Sequence, residues 1–102
     1  VREEISELLS ERLDEILAAE QEVFDRIWYD RSSRHEQEAN DAGDKAEVKR
    51  IRRIARSARV RVEETYGTEN LGPYDKYEWG MLNGKLSALR WVLGSDWDLL
   101  DT

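Results

Sequence analysis

The first thirty residues contain neither glycine nor proline, and their apolar residues recur at steps of three and four. An α-helix turns once about every 3.6 residues, so this spacing gathers the apolar side chains into one stripe. The other side of the segment is rich in glutamate and aspartate. We therefore predict one long amphipathic helix. Its stripe consists of Ile5, Leu8, Leu9, Leu13, Ile16, Leu17, Val23, Phe24, Ile27 and Trp28.

The polar stretch 31–43 leaves two alternatives open, because it carries almost no apolar side chains. Either the first helix continues as a solvated arm, or it frays here. Asn40, Asp41 and Gly43 are turn residues, so we expect the chain to reverse direction near them.

A second helix is predicted over residues 44–66. Asp44 followed by Glu47 has the spacing of an N-terminal capping box, and Gly67 is a suitable helix stop. The predicted buried stripe is Val48, Ile51, Ile54, Ala55, Ala58, Val62 and Tyr66.

A third helix is predicted over about residues 75–93. Pro73 precedes it, Asp75 and Glu78 repeat the capping spacing, and Gly94 ends it. Its predicted apolar face is Trp79, Leu82, Leu86, Leu89 and Leu93.

These elements predict an all-α fold in one domain of 102 residues, with helices over about 2–32, 44–66 and 75–93. We expect the first two helices to form a long antiparallel hairpin with the third packed across it. The C-terminal residues are expected to form a short strap that Trp97, Leu99 and Leu100 dock onto the bundle. Part of so long a hairpin would stay uncovered, and a second copy is the simplest cover, so we predict a homodimer.

The composition excludes several kinds of site. The chain has no cysteine and one histidine, so disulfides, thiolate metal sites and multi-histidine metal sites cannot form. No apolar run reaches the roughly 18 residues that a membrane span needs. We therefore predict no metal, no cofactor, no catalytic residue and no membrane insertion, and we expect a cytoplasmic protein.

Charge is unevenly distributed along a chain whose net charge is −7. Residues 1–30 carry ten acidic side chains and three arginines, whereas residues 44–66 carry eight basic and four acidic ones. The simpler interpretation is that these charges flank the hairpin seam and fix its register. Each exposed pair would then contribute only a few tenths of a kcal/mol.

The alternative interpretation is an outward basic strip that binds phosphates. A basic helix can follow a nucleic-acid backbone, and Arg52, Arg56 and Arg59 lie opposite the apolar stripe at helical spacing. If these three arginines pair with the first helix, this hypothesis loses its support. The candidate residues are Lys49, Arg52, Arg53, Arg56 and Arg59.

The carboxylates of the first helix suggest another alternative. Glu3, Glu4 and Glu7, followed by Glu22 and Asp25, resemble the EExxE…ExxD spacing of all-α nucleotide pyrophosphohydrolases of the MazG-like group. The resemblance implies Mg²⁺ held against a triphosphate. Such a site needs the carboxylates to converge across a hairpin, yet no turn separates the two halves of the pattern.

Two glycines interrupt the third helix. Gly80 and Gly84 lie four residues apart, and each costs roughly 1 kcal/mol relative to alanine in a helix interior. Such a cost suggests that something approaches the backbone closely. It is either another helix, within the monomer or across a dimer axis, or a ligand. The candidate crossing or interface residues are Gly80, Gly84, Ala88 and Trp91.

The C-terminal third follows a recognisable pattern. It reads Trp79-Gly80, Asn83-Gly84, Leu86, then Ala88-Leu89-Arg90-Trp91, and it closes with Leu100-Asp101-Thr102. It resembles the end of small, uncharacterised bacterial and phage proteins that share a segment like WGxxNGxLxALRWxLGxxWDxLDT. The resemblance brings no activity with it, but it implies a phage or mobile-element context.

We therefore predict a non-enzymatic binding or accessory protein that presents a helical surface to a protein partner. One alternative is nucleic-acid or nucleotide binding through the second helix. The other is a Mg²⁺-dependent nucleotide pyrophosphohydrolase.

Overall fold

The first helix, α1, runs without interruption from Arg2 to Asp41, a length of 40 residues, in a computed structural model that describes residues 1–95. The polar stretch therefore continues the helix, and the predicted end near residue 32 is too early. Ala39 gives that stretch an apolar anchor, because it is buried against Val48 and Ile51. The predicted strap with Trp97, Leu99 and Leu100 lies outside the described residues.

The chain then reverses direction in three residues, as the turn residues predicted. Gly43 takes a positive φ of 73°, which side chains other than glycine rarely tolerate. Asp44 caps the second helix, α2 (Lys45–Tyr66), by accepting a hydrogen bond from the Glu47 amide at 3.1 Å. The other hydrogen bond of the predicted capping box, from the Asp44 amide to the Glu47 carboxylate, does not form. The Glu47 carboxylate accepts a hydrogen bond from Arg50 instead.

A short connector leads to the third helix. Gly67 ends α2 with a φ of 82°, and a 3₁₀ turn covers Thr68–Asn70. The third helix, α3 (Lys76–Val92), starts with a complete capping box. Glu78 donates its amide to Asp75 at 2.8 Å, and Asp75 donates its amide to the Glu78 carboxylate at 3.2 Å.

Two arginines of α1 anchor the connector by donating to its backbone carbonyls. The Asp30 carboxylate is 2% exposed and lies 2.9 Å from the Arg34 Nε, while Arg34 also donates to the carbonyl of Tyr74. Arg26 donates to the Asn70 carbonyl at 3.1 Å. A Cβ at Gly72 would lie 2.9 Å from the Asp30 carboxylate, so only glycine fits there without displacing it.

Both α2 and α3 run antiparallel to α1 and pack on it. The α1–α3 contact buries Leu86 completely against Val23 and Ile27, with Trp79, Leu82 and Leu89 beside them. The α1–α2 contact buries Ala39 against Val48 and Ile51. Within the described residues the backbones of α2 and α3 do not approach each other. The third helix therefore packs on the hairpin through α1, and the all-α prediction is confirmed.

The three helices form an extended shape. The radius of gyration is 17.1 Å, and the principal extents are 63 × 29 × 21 Å. A compact domain of about 100 residues would have a radius of gyration near 13 Å. The excess length comes from residues 1–19, here called the arm, in which every residue except the half-buried Ile16 is exposed. None of the described helices is both long enough and apolar enough to cross a membrane.

Leu86→Ala is expected to lower the free energy of unfolding by about 2–5 kcal/mol, since it removes a fully buried side chain between α1 and α3. Urea unfolding followed by circular dichroism measures the change. Met81→Ala on the exposed side of α3 is the matched control, with an expected cost below about 0.5 kcal/mol. Equal costs for both variants would contradict the packing of α3 on α1.

Candidate functional site

The predicted basic residue Arg59 faces α1 and not the solvent. Its guanidinium lies 2.7 Å from the Glu36 carboxylate and donates to the Ser32 carbonyl at 2.8 Å and to the Ser32 hydroxyl. The arginine side chain is 16% exposed and the glutamate 21%. Hydrogen bonding from Arg59 holds the pKa of Glu36 below its ordinary value of 4.5. Arg59 thus fixes the hairpin and does not belong to an outward strip.

Two tyrosines add to the polar seam between α1 and α2. Tyr29 donates its hydroxyl to Glu63 at 2.6 Å, and Tyr66 donates to Asp25 at 2.8 Å. Burial, reinforced by the neighbouring carboxylate, raises the pKa of each phenol to about 12. Both phenols consequently stay protonated and act as donors that hold the two helices in register.

The other four candidate cations lie on the exposed part of α2. Arg52 reaches the Glu36 carboxylate at 3.4 Å, but its side chain is 66% exposed, so this pair is weak. Lys49, Arg53 and Arg56 are exposed and form no ion pair within residues 1–95. These three, here called the outer basic face, follow one another at steps of four and three, which places them on one side of the helix.

An open groove lies over α1 between α2 and α3. Its volume is about 630 Å³, and its apolar lining comes from Trp28 of α1, Ile51, Ile54 and Ala55 of α2 and Trp79 of α3. Its polar lining comes from Arg31, Arg34 and Arg50, with Ser32, His35 and Glu38. Arg31 and Arg34 also stack on the Trp79 ring, at 5.8 and 5.2 Å from its centroid. The groove can take an apolar segment that carries negative charge.

The prediction that Ile54 is buried is wrong, since its side chain is 65% exposed at the groove. Periodicity placed Ile54 on the apolar stripe of α2, and it does lie there. The stripe is wider than the face that α1 covers, and Ile54 falls on the uncovered margin. The sequence signal for this groove was an apolar stripe on α2 that is wider than one neighbouring helix can cover.

The arm carries a second uncovered apolar surface. The stripe predicted for the first helix packs against α3 at Val23 and Ile27 but continues past the end of α3 into solvent. Five large residues of the arm are between 46% and 66% exposed: Ile5, Leu8, Leu9, Leu13 and Leu17.

The glycines of α3 face away from α1. A Cβ added to Gly80 or Gly84 would meet nothing within 4 Å, so these glycines do not serve a crossing within the described part of the chain. They form the floor of a shallow trough of about 580 Å³. The trough is lined by Lys76, Tyr77, Gly80, Met81, Gly84, Lys85 and Ala88. Trp91, the fourth predicted interface residue, is 53% exposed one turn further along.

The carboxylates of the pyrophosphohydrolase-like pattern do not converge. Glu4, Glu7, Glu22 and Asp25 all lie on α1, where Glu7 and Glu22 are about 22 Å apart along the axis. Asp25 instead accepts hydrogen bonds from Gln21 and Tyr66. Among residues 1–95 no group of three or more histidine, aspartate or glutamate side chains is arranged to hold a metal ion.

The fold and its surfaces define an all-α protein in which one long helix carries two shorter ones. No family model, curated protein or solved structure matches the chain. Its function must therefore be inferred from its own surfaces.

Replacing Glu36 with glutamine is expected to lower the free energy of unfolding at pH 7 by about 1–2 kcal/mol, because it weakens a part-buried, charge-assisted hydrogen bond to Arg59. The folded-state pKa of Glu36 is depressed, so its contribution is complete above pH 4.5 and is lost as the pH falls through the lower folded value. Urea titrations between pH 7 and pH 3 should show the difference from wild type shrinking towards acid. Glu38→Gln, an equal charge change at an exposed site on the same helix, is the control and should show little difference at any pH.

Proposed function

We propose that this protein is a non-enzymatic binding protein that presents a helical surface to another protein. The observation that carries the proposal is the uncovered trough of α3. It combines two helix-interior glycines with large apolar neighbours, Tyr77 at 75% and Met81 at 46% exposure. Exposed apolar surface of this kind, bordered by charge, is typical of protein interaction sites.

The glycines support a helical partner. Each costs stability in the isolated helix, and no contact within the described residues offsets that cost. Small side chains let two helix backbones approach closely, so a partner helix lying in the trough would use the space that they leave. Tyr77 and Met81 would pack against its apolar side.

Charge at the trough favours an acidic partner. Lys76 and Lys85 both line it, and neither forms an ion pair within residues 1–95. A partner helix with glutamate or aspartate beside its apolar stripe would pair with them at the rim. Such rim charges mainly raise the association rate and select the partner.

A second candidate function is nucleic-acid binding by the outer basic face. Its support is that Lys49, Arg53 and Arg56 share one exposed side of α2 without carboxylate partners in the described residues. Three aligned cations can contact successive phosphates. The engagement of Arg59 with α1 removes one of the five residues on which the sequence hypothesis depended.

Gly84→Leu is expected to lower recovery of the protein partner at least about tenfold, because the leucine fills the space at the trough floor. The measurement is affinity capture of the tagged chain from a nuclease-treated lysate of its source cells, read by mass spectrometry. Leucine is a better helix former than glycine, so the variant should fold. Ser57→Leu, which places the same leucine side chain at an exposed position of α2, should capture the partner as wild type does. Equal recovery by both variants would contradict the use of the trough.

If the outer basic face binds nucleic acid, affinity for a labelled duplex should fall with salt at a log–log slope of about −3. Fluorescence anisotropy across a salt series measures this slope. The triple variant Lys49→Gln, Arg53→Gln, Arg56→Gln should abolish binding, whereas Lys76→Gln with Lys85→Gln should leave it. Absence of binding by wild type at low salt would eliminate this candidate.

A further inference from the structure

One side of α1 is apolar and partly exposed from Leu13 to Trp28. Leu13, Leu17, Phe24 and Trp28 follow one another at steps of four, seven and four, which places them on the same side of the helix. The first three are 48%, 46% and 39% exposed, and Trp28 lines the groove. The uncovered strip of the arm therefore runs directly into the groove between α2 and α3.

We propose that two copies of this chain assemble about a two-fold axis, with the arm of each copy lying in the groove of the other. This inference uses a different surface from the α3 trough and does not rest on the proposed function. Domains normally bury their apolar faces between two packed layers of secondary structure. Here each chain supplies one layer, and the second copy supplies the other.

The arm cannot fill the groove of its own chain. The arm and the α1 side of the groove belong to the same helix, which continues without a glycine or proline from Arg2 to Asp41. Leu13 and Trp28 are separated by about 22 Å along this single stiff helix. An arm that occupies a groove must therefore come from another molecule.

Charge favours the groove as the partner of the arm. The arm carries six acidic residues and two arginines, a net charge of −4. The groove is lined by Arg31, Arg34 and Arg50 against one acidic residue, Glu38, which leaves it net positive. Attraction between the arm and the groove would favour association of two copies, whereas two arms brought side by side would repel each other.

The two-fold geometry follows from the positions along α1. With the two α1 helices antiparallel, Leu13 of one copy approaches Trp28 of the other, and Leu17 approaches Phe24. The same contacts recur on the other side of the axis, so the interface is self-complementary and closes at two copies. Ile54 then becomes buried beneath the incoming arm.

Analytical ultracentrifugation of wild type and single variants tests this arrangement. Leu13→Glu in the arm and Ile54→Glu in the groove alter side chains that are 48% and 65% exposed, so each monomer should still fold. Each variant places a charge in both halves of the interface and should raise the dimer dissociation constant at least about a hundredfold. Met81→Glu on the opposite side of α3 is the control and should dimerise as wild type does.

Mixing the two variants separates the arm-in-groove dimer from other dimers. A Leu13→Glu chain keeps an intact groove, and an Ile54→Glu chain keeps an intact arm. Their mixture can form one of the two native contacts, so heterodimers should appear at concentrations where each variant alone is monomeric. The dissociation constant of the wild-type dimer should also rise with salt concentration, because salt screens the attraction between opposite charges.

Three results would overturn the proposal. A monomeric wild-type chain at high micromolar concentration would exclude the dimer. Normal dimerisation by Ile54→Glu together with a dimer that tightens in salt would point to pairing of two arms instead. Because the chain has no native cysteine, Leu13→Cys and Ile54→Cys chains can be joined by a short bismaleimide. Arm-to-arm products in place of arm-to-groove products would exclude the geometry.

Discussion

The continuity of α1 is the constraint on which the rest of the structure depends. Both α2 and α3 use it as their support, and their backbones make no contact with each other in the described part of the chain. Each packs through a small apolar cluster, so neither cluster resembles the single large core of a compact domain. A break in α1 would leave the other two helices without a common support.

The uneven charge of the chain serves partly to hold this support together. Glu36 receives Arg59 at close range and Arg52 at the rim, while Glu63 and Asp25 receive the hydroxyls of Tyr29 and Tyr66. The inward part of α2 thus agrees with the simpler interpretation, in which the charges flank the seam of the hairpin. Its outer basic face is left over, and so is the acidity of the arm. These exposed charges, together with Lys76 and Lys85 of α3, are available for a partner.

Local signals in the sequence predicted the elements well. Asp75 with Glu78, Gly43 and Gly67 act as their chemistry requires, because caps and turns depend on a few neighbouring residues. The exposure of Ile54 and the inward position of Arg59 could not be predicted in the same way. Periodicity shows which side of a helix is apolar, but it does not show how much of that side a neighbour covers. Likewise, the polar stretch after residue 31 remained helical because Ala39 finds partners on α2, which is a tertiary effect.

Because α1 is one stiff helix with an exposed end, a small rotation at the groove produces a large displacement at that end. The groove lies over residues 28–38 of α1, and its middle is about 46 Å from Arg2, so a tilt of about 5° there would move the far tip by about 4 Å. A change in the angle between α1 and the two shorter helices would therefore produce its largest displacement at the tip of the arm. The geometry makes the tip of the arm the most sensitive position at which to attach a distance probe.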